Sequence, residues 1–114
     1  MWIFMNDAML SVVRHKEKPE HLMVRARVQG HIERVFPNVR ENYTPLADYG
    51  YRAVIHQDEV AKVMASKVEN IDYPNFKSSV TDRGLHDAYY GVWDCMYREQ
   101  NRRWELGELV DEEL

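Results

Sequence analysis

The sequence predicts an α+β fold, a two-layer sandwich in which about four mostly antiparallel strands carry three helices on one face. Three observations predict it. Apolar residues alternate at period two in short segments of the first half. They recur at helical spacing in the second half. And a chain of 114 residues, 45% of them hydrophobic and 30% charged, has room for one domain with one core.

Met1 to Met5 and Met9 to Val13 read as a hairpin, because Asn6-Asp7 between them is a turn-forming pair. Lys16 to Glu20 is a polar loop whose Pro19 would not sit in a central strand. From His21 to Val28 the alternation is clean, with Leu22, Val24, Ala26 and Val28 on one face and Met23, Arg25 and Arg27 on the other. Gly30 to Phe36 places Ile32, Val35 and Phe36 at helical spacing before Pro37 stops the helix.

Pro37 to Asp48 reads as a long loop, and Tyr49 to His56 as the fourth strand. Because a helix separates the third and fourth strands, they are expected to run parallel with a right-handed crossover. A helix then begins at Gln57-Asp58, with Asp58 as its cap and Val60, Val63, Met64, Val68 and Ile71 as its buried stripe. Tyr73-Pro74-Asn75 interrupts the chain. A last helix starts near Asp82, its inner face formed by Leu85, Ala88, Tyr89, Val92, Trp93 and Met96. The order βββαβαα is similar to ferredoxin-like folds, though not in their standard strand order.

Residues 1–97 are therefore read as a single α+β domain, and 98–114 as a charged C-terminal helix extension or tail. Arg98, Arg102 and Arg103 open that segment, and Glu108, Asp111, Glu112 and Glu113 close it. The net charge of −4 argues against broad non-specific nucleic-acid binding and leaves room for a local basic patch. Cys95 stands alone, which excludes an internal disulfide and a cysteine-based zinc site, and its neighbours suggest a thiol lying against the core. The N-terminus lacks a basic flank and no apolar run approaches a membrane span, so a cytoplasmic location without membrane contact is expected.

If the helices cover one face of the sheet, the other holds Arg25, Arg27, Arg52 and His56, with Trp2 and Phe4 alongside. Arginine beside aromatic residues suits binding to protein or to single-stranded nucleic acid. The alternative is that the arginine stems lie flat over the sheet and pair with acids on neighbouring strands. Chemistry is less visible. The five histidines show no metal-ligand spacing, no glycine-rich phosphate loop exists, and Asp7 and Asp48 read as turn residues. No catalytic residue, cofactor or metal is expected.

Three motifs, Asp48-Tyr49-Gly50-Tyr51-Arg52-Ala53, Ile71-Asp72-Tyr73-Pro74-Asn75-Phe76-Lys77 and Tyr90-Gly91-Val92-Trp93, give a resemblance over residues 1–97. The chain resembles a group of small uncharacterised proteins of bacterial, plasmid and phage genomes. The resemblance implies no reaction. It implies an accessory protein of a mobile element, a class that often binds and blocks a host protein, including nucleases of defence systems. In the middle motif Pro74 would fix a turn and Phe76 anchor it, with Tyr73 and Phe76 as binding candidates.

The expected function is a small non-enzymatic protein-binding module, an inhibitor or adaptor, with a protein as its partner. A nucleic-acid-binding regulator using Arg25, Arg27 and Arg52 is the alternative, and a small hydrolase or nuclease the second. A two-fold homodimer through the open sheet would be a further use of that face.

Overall fold

Asn6 and Asp7 reverse the chain where their composition demands it. In the structure, a computed structural model describing residues 1–107, β1 (Trp2–Met5) and β2 (Ala8–Arg14) pair across that turn, with Ile3 opposite Leu10 and Phe4 opposite Met9. β3 (His21–Ala26) pairs with β2. A second hairpin joins β4 (Asn42–Tyr43) to β5 (Tyr51–His56), and β5 pairs with β3. Among the described residues the sheet therefore has five strands in the order β1-β2-β3-β5-β4, all neighbours antiparallel. The α+β class holds, with one more strand than expected because β4 lies inside the segment read as loop.

The expected parallel crossover is corrected. Ala26, the last residue of β3, pairs with Tyr51, the first of β5, so the connection leaves and returns at the same end of the sheet. The helix in that connection, α1 (His31–Val35), is 5 residues long. At a rise of about 1.5 Å per residue it spans far less than the six-residue strands it would have to run alongside. A single turn of helix cannot carry the chain back to the start of β3.

One face of the sheet carries Leu10, Val12, Val24, Ala26, Ala53 and Ile55, all buried, with Ile3, Met5, Leu22 and Tyr51 at the margin. Ile32, Val35 and Phe36 from α1 and its C-terminal flank close it at one end. The other end is closed by α2 (Gln57–Glu69) through Val60, Val63 and Met64. The cap of α2 is His56, whose Nδ1 accepts the Asp58 N–H at 3.1 Å, and not Asp58 itself. Val68 and Ile71, expected in the buried stripe, are exposed because α2 runs on past the sheet edge after Met64.

The remaining helices are α3 (Phe76–Ser79) and α4 (Arg83–Glu105), each capped as the chemistry of its first residues allows. Asn75 Oδ1 accepts the Ser78 N–H, and Asp82 Oδ1 accepts the Leu85 N–H at 3.0 Å. α4 meets the sheet on the face opposite the core, at the β1 edge. There Tyr89 lies edge-on to Phe4, stacks on Phe76, and donates its hydroxyl to the Met5 carbonyl at 2.9 Å.

Beyond that pin α4 leaves the body. Its 23 residues run through position 97 without a break to Glu105, about 34 Å at helical rise. The radius of gyration is 16.9 Å, against about 13 Å for a globular chain of this length. Two expectations are corrected by the overhang: of the six residues read as the inner face of α4 only Tyr89 is buried, and Cys95 is exposed. The acidic residues Glu108, Asp111, Glu112 and Glu113 lie outside the described residues.

Candidate functional site

Register brings the predicted residues of the second sheet face into rows. Trp2 stands opposite Ser11, Ser11 opposite Arg25, and Arg25 opposite Arg52, one line across four strands. Arg25 Nη2 donates to Ser11 Oγ at 2.7 Å, while its buried Nε–H finds no acceptor. Arg52 Nε donates to the Tyr49 carbonyl at 3.4 Å. Neither guanidinium meets a carboxylate among the described residues. Arg14 follows the same pattern, donating to Gln57 Oε1 at 2.7 Å. These three line a groove of about 450 Å³ with His15 and Lys16, floored in part by Met23, and Glu17 is the one carboxylate along it.

Arg27 belongs elsewhere. It forms an ion pair with Asp48 at 3.1 Å and lies over the ring of Tyr49, 4.0 Å from the centroid. Arg25 also lies over that ring, at 4.4 Å, so the buried Tyr49 serves as a platform for both stems. Arg27 and Trp2 border a separate apolar cleft with Phe4, Met9 and the first turns of α4. His56 is occupied structurally: beyond its cap, its Nε2 lies 3.6 Å from Glu20 and its ring meets His21 edge-on at 5.0 Å. Tyr73 and Phe76 are drawn to the α4 pin, where Phe76 contacts both Tyr73 and Tyr89. The structure thus joins Arg25 with Arg52, and Phe76 with Tyr73, but does not assemble the seven predicted residues into one site.

A row of half-exposed aromatic residues lies outside that set. Tyr90, Trp93, Tyr97 and Trp104 recur at spacings of three, four and seven along α4, with Gln100 filling the intervening position. That is the a/d period of a helix seam. Trp93 and Tyr97 stack with planes 5° apart at 5.2 Å, and Tyr90 adjoins Trp93 at 5.7 Å. All four rings are about half exposed, from 42% for Trp93 to 53% for Trp104. Rings of this size bury about 150–250 Å² each, so the seam leaves roughly 400 Å² uncovered. Met96, 64% exposed beside it, adds to the patch. Isolated exposed apolar residues are ordinary, and a cluster of about this area matches the largest apolar patch of a typical monomer, which is often functional.

Several charges of α4 pair within the helix. Arg98 pairs with Asp94, and Arg102 and Arg103 both bind Glu99, pulling its carboxyl down to about 2. Lys77 reaches over from α3 to lie 4.0 Å above Trp93. The seam was legible as a heptad of aromatics, but amphipathic spacing alone assigned Trp93 to the core. Nothing in spacing says which side of a helix finds the body.

Among the described residues no group of three or more His, Cys, Asp or Glu side chains is placed to hold a metal ion, and no helix is long and apolar enough to cross a membrane. Comparison with known proteins adds no relative. No family model matches the chain, and no curated protein or solved structure matches it.

Proposed function

We propose that this chain is a non-enzymatic protein-binding module whose docking element is α4. The observation that supports it is the half-exposed seam Tyr90, Trp93, Tyr97 and Trp104 on a helix whose outer turns stand clear of the body. The occupant is a partner protein with an apolar groove. Two-stranded helix pairs that bind their own kind fill such seams with Leu, Ile and Val, whereas Trp and Tyr are the anchors of pocketed interfaces. The mode is helix-in-groove recognition, read out at positions three and four residues apart. Inhibition of a host protein, the role implied by the resemblance, would follow from such docking if the groove is one the target needs.

The test compares complexes formed in the native host by the wild type, by Trp93→Ser/Tyr97→Ser, and by Arg25→Gln/Arg52→Gln. A stoichiometric protein partner kept by the arginine variant and lost by the aromatic one supports docking through α4. Retention by the aromatic variant overturns it. Sedimentation of the purified protein adds a second check: a dimer abolished by the aromatic substitutions would assign the seam to self-association instead.

A further inference from the structure

We infer that the groove between the β2–β3 turn and the β3–β5 ladder is a binding site for a phosphate-bearing ligand, separate from the α4 seam. Its cations are Arg14, Lys16, Arg25 and Arg52, against Glu17 as the single carboxylate among the described residues. In a chain of net charge −4 this is a local reversal of sign.

The hydrogen bonding shows what the groove lacks. Arg14, Arg25 and Arg52 are each steadied by a neutral oxygen, from Gln57, Ser11 and the Tyr49 backbone respectively. By contrast Arg27, Arg98, Arg102 and Arg103 each have a carboxylate. Neutral acceptors aim a guanidinium without neutralising it. The forks are oriented and their charge is left for an incoming anion.

Arg25 and Arg52 moreover face each other directly across the ladder, an arrangement that costs stability in the absence of a ligand. His15 adds a neutral donor. Its Nδ1 accepts the Glu17 and Lys18 amides at 3.1 and 2.9 Å, leaving Nε2 to carry the ring proton.

The ligand chemistry follows. Planar forks of N–H groups on several arginines match the oxygens of phosphate better than a single carboxylate. The groove walls include Val13 and Met23 but, among the described residues, no Phe, Tyr or Trp ring on which a base could stack, and the one imidazole, His15, is tied to the turn amides through Nδ1. The recognised part is therefore the phosphate itself, borne by a small phosphorylated compound or by a nucleic-acid backbone.

The experiment titrates the full chain, ¹⁵N-labelled, with inorganic pyrophosphate and, separately, with a twelve-residue oligothymidylate, at fixed chloride. The site predicts saturable shifts confined to amides of the 13–17 turn and around Arg25 and Arg52. Arg25→Gln/Arg52→Gln should weaken binding by about tenfold or more, since hydrogen bonds to charged groups are the strong ones. Lys16→Gln, at an exposed position on the turn, should weaken it several-fold, and Arg98→Gln on α4 should leave it unchanged.

Tighter pyrophosphate binding identifies a small phosphorylated ligand. Tighter oligothymidylate binding, with a log–log salt slope of about 0.7 per contacted phosphate, identifies the backbone. Either supports the site. Shifts that never saturate, or that persist undiminished in both Arg25→Gln/Arg52→Gln and Lys16→Gln, overturn it. The aromatic variant of α4 should bind pyrophosphate normally, so this inference and the docking proposal fail independently.

Discussion

Arg25 and Arg52 stand directly opposite each other on β3 and β5, and among the described residues no carboxylate neutralises either. Cross-strand partners on one face lie close enough for like charges to oppose pairing. The sheet keeps this unfavourable pair at its centre, flanked by Ser11 on one side and Asn42 on the other.

Arg52→Glu converts the repulsive pair into an attractive one. It is expected to stabilise the fold by about 0.2–1 kcal/mol in urea denaturation, while removing pyrophosphate binding. A variant that is destabilised would show that the two guanidinium groups are held apart and do not sense each other.

Tyr89 pins α4 to β1 through its hydroxyl and its edge-on contact with Phe4, and stacks on Phe76 of α3. Burial, with Asp7 and Asp82 nearby, pushes its phenol up to about 12, so it stays a donor throughout the physiological range. Tyr89→Phe should cost about 1 kcal/mol, the ordinary net worth of one hydrogen bond. Tyr89→Ala should cost about 3 kcal/mol or more and raise amide exchange along the first turns of α4. Equal losses for both variants would mean that ring packing contributes nothing.

Trp93→Ser/Tyr97→Ser should leave folding almost untouched. The rings touch each other, Tyr90 and Lys77 and do not belong to the core cluster, and stacked pairs at this helical spacing stabilise a helix by about 0.2–0.5 kcal/mol. Thermal unfolding should therefore match the wild type closely. A large drop in midpoint would place these rings against the body.

His31 is buried, and its Nδ1 accepts the Met9 N–H at 3.1 Å. Burial lowers its basicity below the usual histidine range. As pH falls below about 6.5, the unfolded chain takes up this proton before the folded one does, so stability is full above that value and declines on acidification. The unfolding midpoint should fall between pH 7 and pH 5, and His31→Gln should flatten part of that fall. The His31 ring resonance, followed by NMR, should titrate below the unfolded value.

Gly30 caps α1 at φ 88°, and a Cβ built there meets no atom within 4 Å. Gly30→Ala thus isolates backbone strain from crowding and should cost about 1–2 kcal/mol in chemical denaturation. A neutral substitution would mean that the turn relaxes to negative φ.

The strands were legible because their sheet has one buried face, and period two shows in Leu22, Val24 and Ala26 as plainly as in the observed burial. The Asp82 cap was equally plain. Strand direction was misread, because α1 was taken as a crossover helix although its 5 residues cannot span the length of β3.

At the site, spacing placed Arg25 and Arg52 on a common face but could not show that their neighbours are neutral. Nor could it separate Arg27, whose partner Asp48 lies 21 residues along the chain. The α4 seam was misread for a different reason. Trp93 and Tyr97 have the periodicity of a core helix, and only the position of the Tyr89 pin shows that the sheet ends before they begin.

The sheet order also sets the sequence of events during synthesis. Each ladder joins strands close in the chain, and the core cluster is complete by Met64. Low contact order of this kind lets a chain fold as it is made. By the time Trp93 emerges from a ribosome, every residue of the core cluster has already been made. Of the described helices α4 is translated last, onto a sheet already made, with its aromatic rings available to whatever it meets next.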